Sequence, residues 1–281
     1  MIQIDDFLKY LESHELKRVE SGSVVIDDAA AALLHVAINP GDLSVSVSSR
    51  DTAVQMVVVR DGEGELQPLN IDVARGATIN VVELLWSGAQ SSLTIVQSGD
   101  SVANLTQVEL ASAVSRCRVA LNGCGASVAV DVLQLLSGDQ RGEVSLRIEH
   151  NSGDCSSNST SKCVANDRAQ GLFDGLIYVA QDAQHTVANQ NSRNVALSDD
   201  VRIKAEPQLE IYADDVMCTH GATVGQMNQE AVYYMRQRGL SEAQARKIQL
   251  EGFVADISQR CCIESLREGI EQLLGARLEE L

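Results

Sequence analysis

Proline and aromatic residues are scarce in this sequence of 281 residues, which has three prolines and only 3% Phe, Trp and Tyr. Their scarcity argues against a disordered tail and against a β-sandwich, which usually buries several aromatic rings. The hydrophobic fraction of 44% is instead rich in Val, Leu, Ile and Ala. The composition therefore predicts one sizeable core of closely stacked aliphatic layers.

A positive net charge and long apolar runs are also missing. The formal net charge is −17, whereas nucleic acids and anionic membranes attract basic surfaces. No apolar stretch reaches the ~20 residues of a membrane-spanning helix. The segment Met1–Tyr10 carries Asp5 and Asp6 and lacks the basic start and apolar run of a signal peptide. We expect a cytoplasmic protein that binds neither nucleic acid nor membrane.

Motifs for catalysis and nucleotide binding are absent from the sequence. It contains no G-x-G-x-x-G turn, no phosphate-binding G-x-x-x-x-G-K-[ST] loop and no G-x-S-x-G elbow. Its acidic residues are dispersed along the chain. The sequence therefore predicts a chain that is not an enzyme and that binds no nucleotide.

The cysteines are odd in number and form no C-x-x-C pair, so neither a disulfide framework nor a structural zinc site is expected. The seven cysteines are Cys117, Cys124, Cys155, Cys163, Cys218, Cys261 and Cys262. We expect most of them to behave as small buried hydrophobic residues.

Hydrophobic periodicity divides the chain into three regions. Residues 1–38 show a short helical pattern that includes an apolar patch at Ala29–Leu34. Residues 39–226 change to period two, as in Leu43-Ser-Val-Ser-Val47, with turn residues about every 10–15 positions. Residues 227–281 return to helical spacing. The sequence thus predicts an all-β core with a short N-terminal helical segment and a C-terminal α-helical domain.

Two architectures fit the long β region. An antiparallel sandwich would use tight hairpins and bury aromatic rings. A parallel β-helix stacks each strand on the strand one turn later and fills a narrow interior with aliphatic side chains. Because aromatic residues and prolines are scarce and no helix interrupts the region, the pattern favours the parallel β-helix.

The C-terminal region carries explicit helix signals. Asn228 is placed to cap a helix that stops at Gly239, and Ser241-Glu-Ala-Gln244 is a capping box for the next helix. Apolar residues then recur on one face from Leu250 to Leu281. This apolar stripe must pack on something, so it either covers the open end of the β-helix or is offered to a partner.

A long run at the end of the β region, Leu209-Glu-Ile-Tyr-Ala-Asp-Asp-Val-Met-Cys-Thr-His-Gly-Ala-Thr-Val-Gly-Gln226, resembles the signature of the SufB/SufD family. The segments Gly175-Leu-Ile-Tyr-Val179 and Tyr233-Tyr-Met-Arg-Gln-Arg-Gly239 extend the resemblance, which is strong over about residues 145–260. It implies a right-handed parallel β-helix followed by a helical C-terminal domain. It also implies a non-catalytic scaffold for iron–sulfur cluster assembly that pairs through its β-helix and docks a SufC-type ATPase through its C-terminal helices.

Two features depart from the family pattern. Most of the N-terminal helical region of typical SufD proteins is missing, which implies a compact form and leaves open whether the partner is a SufB-like subunit or an identical chain. SufB has a cysteine near the position of Ser198 and a glutamate at the position of Gly221. The sequence therefore follows the SufD form, and we do not expect it to be the principal sulfur acceptor.

Cys218 and His220 are the candidate metal ligands. They lie two residues apart, so they point to the same face of a strand, and thiolate and imidazole both bind iron. The resemblance implies that His220 contributes to the dimer interface where an iron–sulfur cluster forms transiently, with Cys218 close by. Dimerisation of the ATPase subunits would shear this interface and expose the pair. The alternative is that Cys218 packs inward and His220 only hydrogen-bonds at the interface.

A second group of residues surrounds a Gly- and Ser-rich turn but matches no standard metal-binding spacing. It comprises His150, Cys155, Lys162 and Cys163. We expect a surface loop or a partner contact here rather than a metal site.

Two other functions remain open at this point. A carbohydrate-active β-helix enzyme would need clustered acids and aromatic residues along a groove, whereas the sequence has one Trp. A structural β-helix that polymerises end to end is the other alternative, and the helical tail argues against it if that tail blocks an end. Turnover of an acidic polysaccharide, or sedimentation of filaments, would identify either one.

Overall fold

The alternating segments of the sequence fold into strands that stack in parallel. The computed structural model describes residues 4–62 and 67–281. Within these ranges the chain forms two all-parallel sheets, the first of nine strands and the second of eight. The strands are β1 (Leu16–Arg18), β2 (Gly22–Ile26), β3 (Leu34–Ile38), β4 (Leu43–Val47), β5 (Val54–Arg60), β6 (Pro68–Val73), β7 (Thr78–Leu85), β8 (Ala89–Gln97), β9 (Val102–Glu109), β10 (Ala113–Leu121), β11 (Ser127–Leu136), β12 (Arg141–His150), β13 (Ser156–Ala165), β14 (Gln170–Val179), β15 (Val187–Ala196), β16 (Arg202–Ile211) and β17 (Met217–Gln226).

Strands alternate between the two sheets along the chain. The odd-numbered strands form the first sheet in the order β1 to β17, and the even-numbered strands form the second in the order β2 to β16. Each strand therefore pairs with the strand one turn later, as Val102 of β9 pairs with Ser127 of β11. This topology confirms the predicted parallel β-helix.

The interior of the coil is filled by rows of aliphatic side chains. In β4, Leu43, Val45 and Val47 are buried while the serines between them are less so. Val45 stacks on Ile71 of β6, which stacks on Ile95 of β8. Burying such rows supplies most of the folding free energy without aromatic rings, as the composition predicted.

The corners between strands use residues that tolerate tight backbone packing. Gly123 lies against the corner of the preceding turn, where a Cβ would stand 1.9 Å from the backbone nitrogen of Gly99. Asp100 adopts a left-handed conformation with φ of 57°, which Asp tolerates better than most residues. The turn residues of the sequence therefore set how closely successive turns stack.

The helices begin and end where the local signals predict. They are α1 (Ile4–Glu12), α2 (Gln229–Gln237), α3 (Glu242–Gln259) and α4 (Arg267–Glu279), with a 3-10 turn at Glu264–Leu266. The Asn228 side chain accepts a hydrogen bond from the backbone N–H of Ala231, and Ser241 forms a complete capping box with Gln244. Gly239 has the positive φ of a helix stop. The helical C-terminal region is thus confirmed.

The C-terminal helices pack on the side of the β-helix. Their apolar stripe, from Leu250 to Leu278, forms one buried cluster with residues on the outer face of the first sheet, including Leu84, Val108 and Leu133. Neither alternative raised from the sequence describes this arrangement, because the stripe covers a sheet face rather than an end and is already buried within the chain. The strands of the first sheet that lie beneath the helices are consequently covered on both faces.

The expectation of a helical segment over residues 1–38 is wrong beyond α1. Residues Leu16–Arg18, Gly22–Ile26 and Leu34–Ile38 are strands of the first turns, and the apolar patch Ala29–Leu34 is a turn running into β3. The strands here are too short to show clear alternation, and the alanine run imitates helical composition. Among the described residues, no helix is long and apolar enough to cross a bilayer.

Candidate functional site

The β-helix ends in two long strands that have no further neighbour. β16 is the last strand of the second sheet and β17 the last strand of the first. Both have ten residues, most of them exposed or half-buried. Because an edge strand presents unpaired N–H and C=O groups, this end of the coil is a template for pairing with another chain. We call β16 and β17 together the open end.

Both candidate ligands lie on β17 at the open end. In register, Cys218 stacks on Ala188 of β15 and His220 stacks on Gln190. Cys218 is half-buried against a small apolar cluster that includes Ile177 and Leu209, and burial raises the pKa of its thiol. The structure thus places Cys218 and His220 on the inward face of the last turn, separated by one residue along the strand.

His220 is exposed, and no hydrogen bond or ion pair to it occurs in the described part of the chain. Its imidazole can therefore serve as a ligand without first breaking an internal contact. Cys218 needs a larger adjustment, since its thiol must lose a proton and turn from the apolar cluster. These properties make His220 the readier donor of the two.

The interior changes character beneath the open end. Aliphatic rows fill most of the coil, but β13 and β15 place buried polar side chains inside it. These are Ser157, Ser159, Ser161, Gln190, Ser192 and Asn194. The amide of Gln190 has no hydrogen-bond partner for either its nitrogen or its oxygen.

The donor pair fits iron as cargo but does not complete a site. Thiolate and imidazole are both established iron ligands. No group of three or more His, Cys, Asp or Glu side chains suited to a metal ion occurs among the described residues. Because iron in such sites usually takes four or more ligands, iron held by this pair would need further donors.

The second cysteine group is not a surface loop, and that expectation is wrong. His150, Cys155, Lys162 and Cys163 are all buried. His150 and Ser157 face each other at 2.8 Å, and burial lowers the pKa of the imidazole to about 4. His150, Lys162 and Cys163 lie on strands, and Cys155 lies at the end of the turn before β13. All four side chains are covered by other parts of the chain.

Lys162 differs from the other three residues because its side chain contacts a helix. It faces outward from β13 under α3, donates to the carbonyl oxygen of Phe253 and to the Asp256 carboxylate, and lies over the Phe253 ring. The neighbouring pair Arg260 and Asp131 adds a second ionic contact between α3 and the first sheet, with N and O 3.0 Å apart. Helix α3 is therefore held to the β-helix by buried charges as well as apolar packing.

A polar row inside the coil is not predicted from the sequence. Glu83 accepts hydrogen bonds from Arg60, Ser91 and Gln107 at 2.6–3.0 Å. Two residues beyond Gln107 on β9, Glu109 accepts a hydrogen bond from Gln134 at 2.7 Å. A charged residue within an apolar run, as in Val81-Val-Glu-Leu-Leu85, was the available signal.

The fold and the site together define a parallel β-helix protein whose last strand carries a thiol and an imidazole at an unpaired edge. The family model for the SufBD core domain of the SUF system for FeS cluster assembly matches residues 47–253. The chain therefore belongs to the SufBD family.

Curated relatives agree with this assignment. The chain is 33% identical over 158 residues to the iron–sulfur cluster assembly protein SufD of Escherichia coli, which covers 56% of this chain and 37% of the relative. It is 32% identical over 189 residues to an iron–sulfur cluster assembly SufBD family protein of Synechocystis, which covers 66% and 42%. The chain thus spans less than half the length of these two relatives.

Proposed function

We propose that this chain is a non-catalytic scaffold subunit for iron–sulfur cluster assembly. The observation that carries the proposal is the open end of a SufBD-family β-helix, where Cys218 and His220 supply an incomplete set of soft donors. A SufB-like subunit or a second copy of this chain would pair with the open end and complete the set. The cluster would be held there transiently and then passed on.

The SufD form of the sequence around Ser198 and Gly221 supports an accessory role rather than that of principal sulfur acceptor. The seven free thiols suit a reducing compartment such as the cytoplasm. ATP hydrolysis would come from another chain, since the sequence has no phosphate-binding loop.

A SufC-type ATPase is the proposed partner of the C-terminal helices. Helix α2 exposes two adjacent aromatic side chains, Tyr233 at 64% and Tyr234 at 59%, and α3 adds the exposed Ile248. Aromatic side chains of this kind are enriched at protein interfaces. Because α3 is bound to β13 in the same sheet as β17, a pull on these helices would act on the sheet that carries Cys218 and His220.

Docking is tested by exchanging the exposed tyrosines while the helices stay in place. Deleting the helices would uncover the apolar face of the first sheet, so surface substitutions are the cleaner test. We expect Tyr233→Glu combined with Tyr234→Glu to abolish co-purification with a SufC-type ATPase. Tyr212→Glu, an exposed tyrosine beside the open end, is the matched control and should bind the ATPase normally. Equal binding by all three proteins would remove α2 from the proposal.

The role of the donor pair is tested by anaerobic reconstitution with iron and sulfide in the presence of the pairing partner. We expect His220→Ala to reduce the visible absorption of the cluster strongly and Cys218→Ser to reduce it less. Cys124→Ser is the control, because Cys124 is the exposed thiol at a corner distant in sequence from β17. Identical spectra for all four proteins would show that neither residue is a ligand.

A further inference from the structure

Gln190 is a buried amide without a partner directly beneath a candidate ligand. Its side chain crosses the interior from β15 to β14, where a Cβ on Gly175 would lie 2.4 Å from Gln190 Nε2. The residue is fully buried, and neither amide atom is hydrogen-bonded. An unsatisfied buried amide destabilises a protein, so its presence at this position needs a functional explanation.

The register places His220 on the next turn above Gln190. Neighbouring parallel strands lie about 4.8 Å apart, so side chains at paired positions are within reach of one another. The adjacent row shows that such pairs do bond here. Thr219 donates to Asn189 at 2.9 Å, and Asn189 donates to Asn158 at 2.9 Å.

The two neighbours on β15 differ in a way that favours His220 as the supported ligand. Ala188 beneath Cys218 is small and apolar, so it leaves room for the thiol and offers it no side-chain hydrogen bond. Gln190 beneath His220 carries an acceptor oxygen. Metal-binding histidines usually donate their second ring N–H to such an acceptor, which fixes the tautomer and the ring orientation.

We propose that Gln190 is a positioning residue for His220. Its Oε1 accepts a hydrogen bond from one ring nitrogen of His220 when the imidazole turns over the open end, which leaves the other nitrogen directed at a ferrous ion. The inference rests on the proposed function, because it assumes that His220 binds iron. The inference adds Gln190 as the residue that determines which ring nitrogen of His220 binds the iron.

The test measures Co²⁺ binding, as an optical substitute for Fe²⁺, by the full chain with its pairing partner. We expect Gln190→Met, which matches the shape but lacks the acceptor, to weaken Co²⁺ binding ~10–100-fold, the usual effect of losing such a partner. Gln190→Glu keeps an acceptor oxygen and should restore binding to within a few-fold. Ser192→Ala, buried on the same strand but in register with Ala222, is the matched control and should bind as the wild type does.

Two further measurements separate positioning from a structural role. Thermal unfolding of Gln190→Met should occur at the same or a higher temperature than wild type, because the substitution removes an unpartnered amide. ¹⁵N shifts of His220 should report one tautomer in the metal-loaded wild type and a mixture in Gln190→Met.

The outcomes distinguish failure of this inference from failure of the proposed function on which it rests. If His220→Ala binds Co²⁺ as tightly as wild type, both the metal role of His220 and the role of Gln190 are overturned. If His220→Ala loses binding while Gln190→Met retains it with a single tautomer, only the role of Gln190 is overturned. Loss of binding by Ser192→Ala equal to that of Gln190→Met would also overturn it.

Discussion

Buried ionisable side chains inside the coil make its stability depend on pH. Burial raises the pKa of Glu109 to about 8, although Gln134 donates a hydrogen bond to its carboxylate. In the unfolded chain the same carboxyl has a pKa near 4.5. The native state therefore binds more protons between these values, and the free energy of unfolding falls as pH rises through them.

We predict that Glu109→Gln removes this dependence. As pH rises from 5 to 8, the free energy of unfolding of the variant should increase relative to that of wild type by on the order of 2–4 kcal/mol, measured by urea unfolding. Glu271→Gln, an exposed carboxyl on α4, is the control and should follow the wild-type profile. A constant difference between wild type and Glu109→Gln over this range would show that Glu109 is ionised in the folded protein.

Glycine at position 171 makes room for a cysteine across the interior. A Cβ there would lie 2.7 Å from Cys163 Sγ, so we predict that Gly171→Ala costs about 1–3 kcal/mol of unfolding free energy through overpacking. Adding Cys163→Ala should recover part of the loss. Gly252→Ala, where a Cβ meets open space within α3, should instead stabilise the chain slightly. No recovery in the double variant would contradict this packing.

At this scale the sequence predicts where the two candidate ligands lie better than it predicts their surroundings. Cys218 and His220 follow from the family resemblance, and their common face follows from strand period. Gln190 stands between two asparagines and looks like any polar strand residue. Its importance depends on which residue of β17 stacks above it, and sequence spacing alone does not give the register.

Helix α3 is one of the elements that hold the C-terminal region on the β-helix, and α4 is another. We predict that Asp256→Ala destabilises the chain by roughly 2–4 kcal/mol, because it leaves the buried ammonium of Lys162 without its carboxylate. Adding Lys162→Met should recover part of the loss in chemical denaturation. Glu251→Ala removes an exposed ion pair to Lys247 at 3.8 Å and should cost under ~1 kcal/mol. Equal losses for Asp256→Ala and Glu251→Ala would contradict the buried contact.

Helix boundaries are predicted well because capping is local. Asn228, Ser241 and Gln244 bond within three residues of themselves, so their signals need no tertiary context. The packing site of the helices is different. The outer face of the first sheet is apolar only where odd-numbered strands put Leu84, Val108 and Leu133 side by side, which requires the fold. Strands β1 to β3 escape prediction for a different reason, because three to five residues are too few to show alternation.

The two ends of the whole molecule are unlike. At the N-terminal end the edge strands β1 and β2 have three and five residues, and β1 carries Lys17 and Arg18. Short, charged edges discourage pairing. The open end instead presents two strands of ten residues with exposed apolar side chains such as Met217 and Val224. Association through one end gives a closed pair, whereas association through both would give filaments.

The sequence predicted that the helical tail would block filament formation, but the position of the tail does not favour a closed pair over filaments. It packs along the side and leaves the open end uncovered. The short length and the charge of β1 and β2, rather than the tail, therefore disfavour filaments. An open end on one side only is the central claim of this account.

The mass of the assembly in solution tests that claim most directly. Sedimentation equilibrium should give a closed pair for wild type, either alone or with a SufB-like subunit. It should give separate chains for Met217→Lys combined with Val224→Lys. Val25→Lys, which places one lysine on an edge strand of the other end at a residue 67% exposed, should pair as wild type does. Pairing that survives the double substitution, or that is lost in Val25→Lys, would contradict the account.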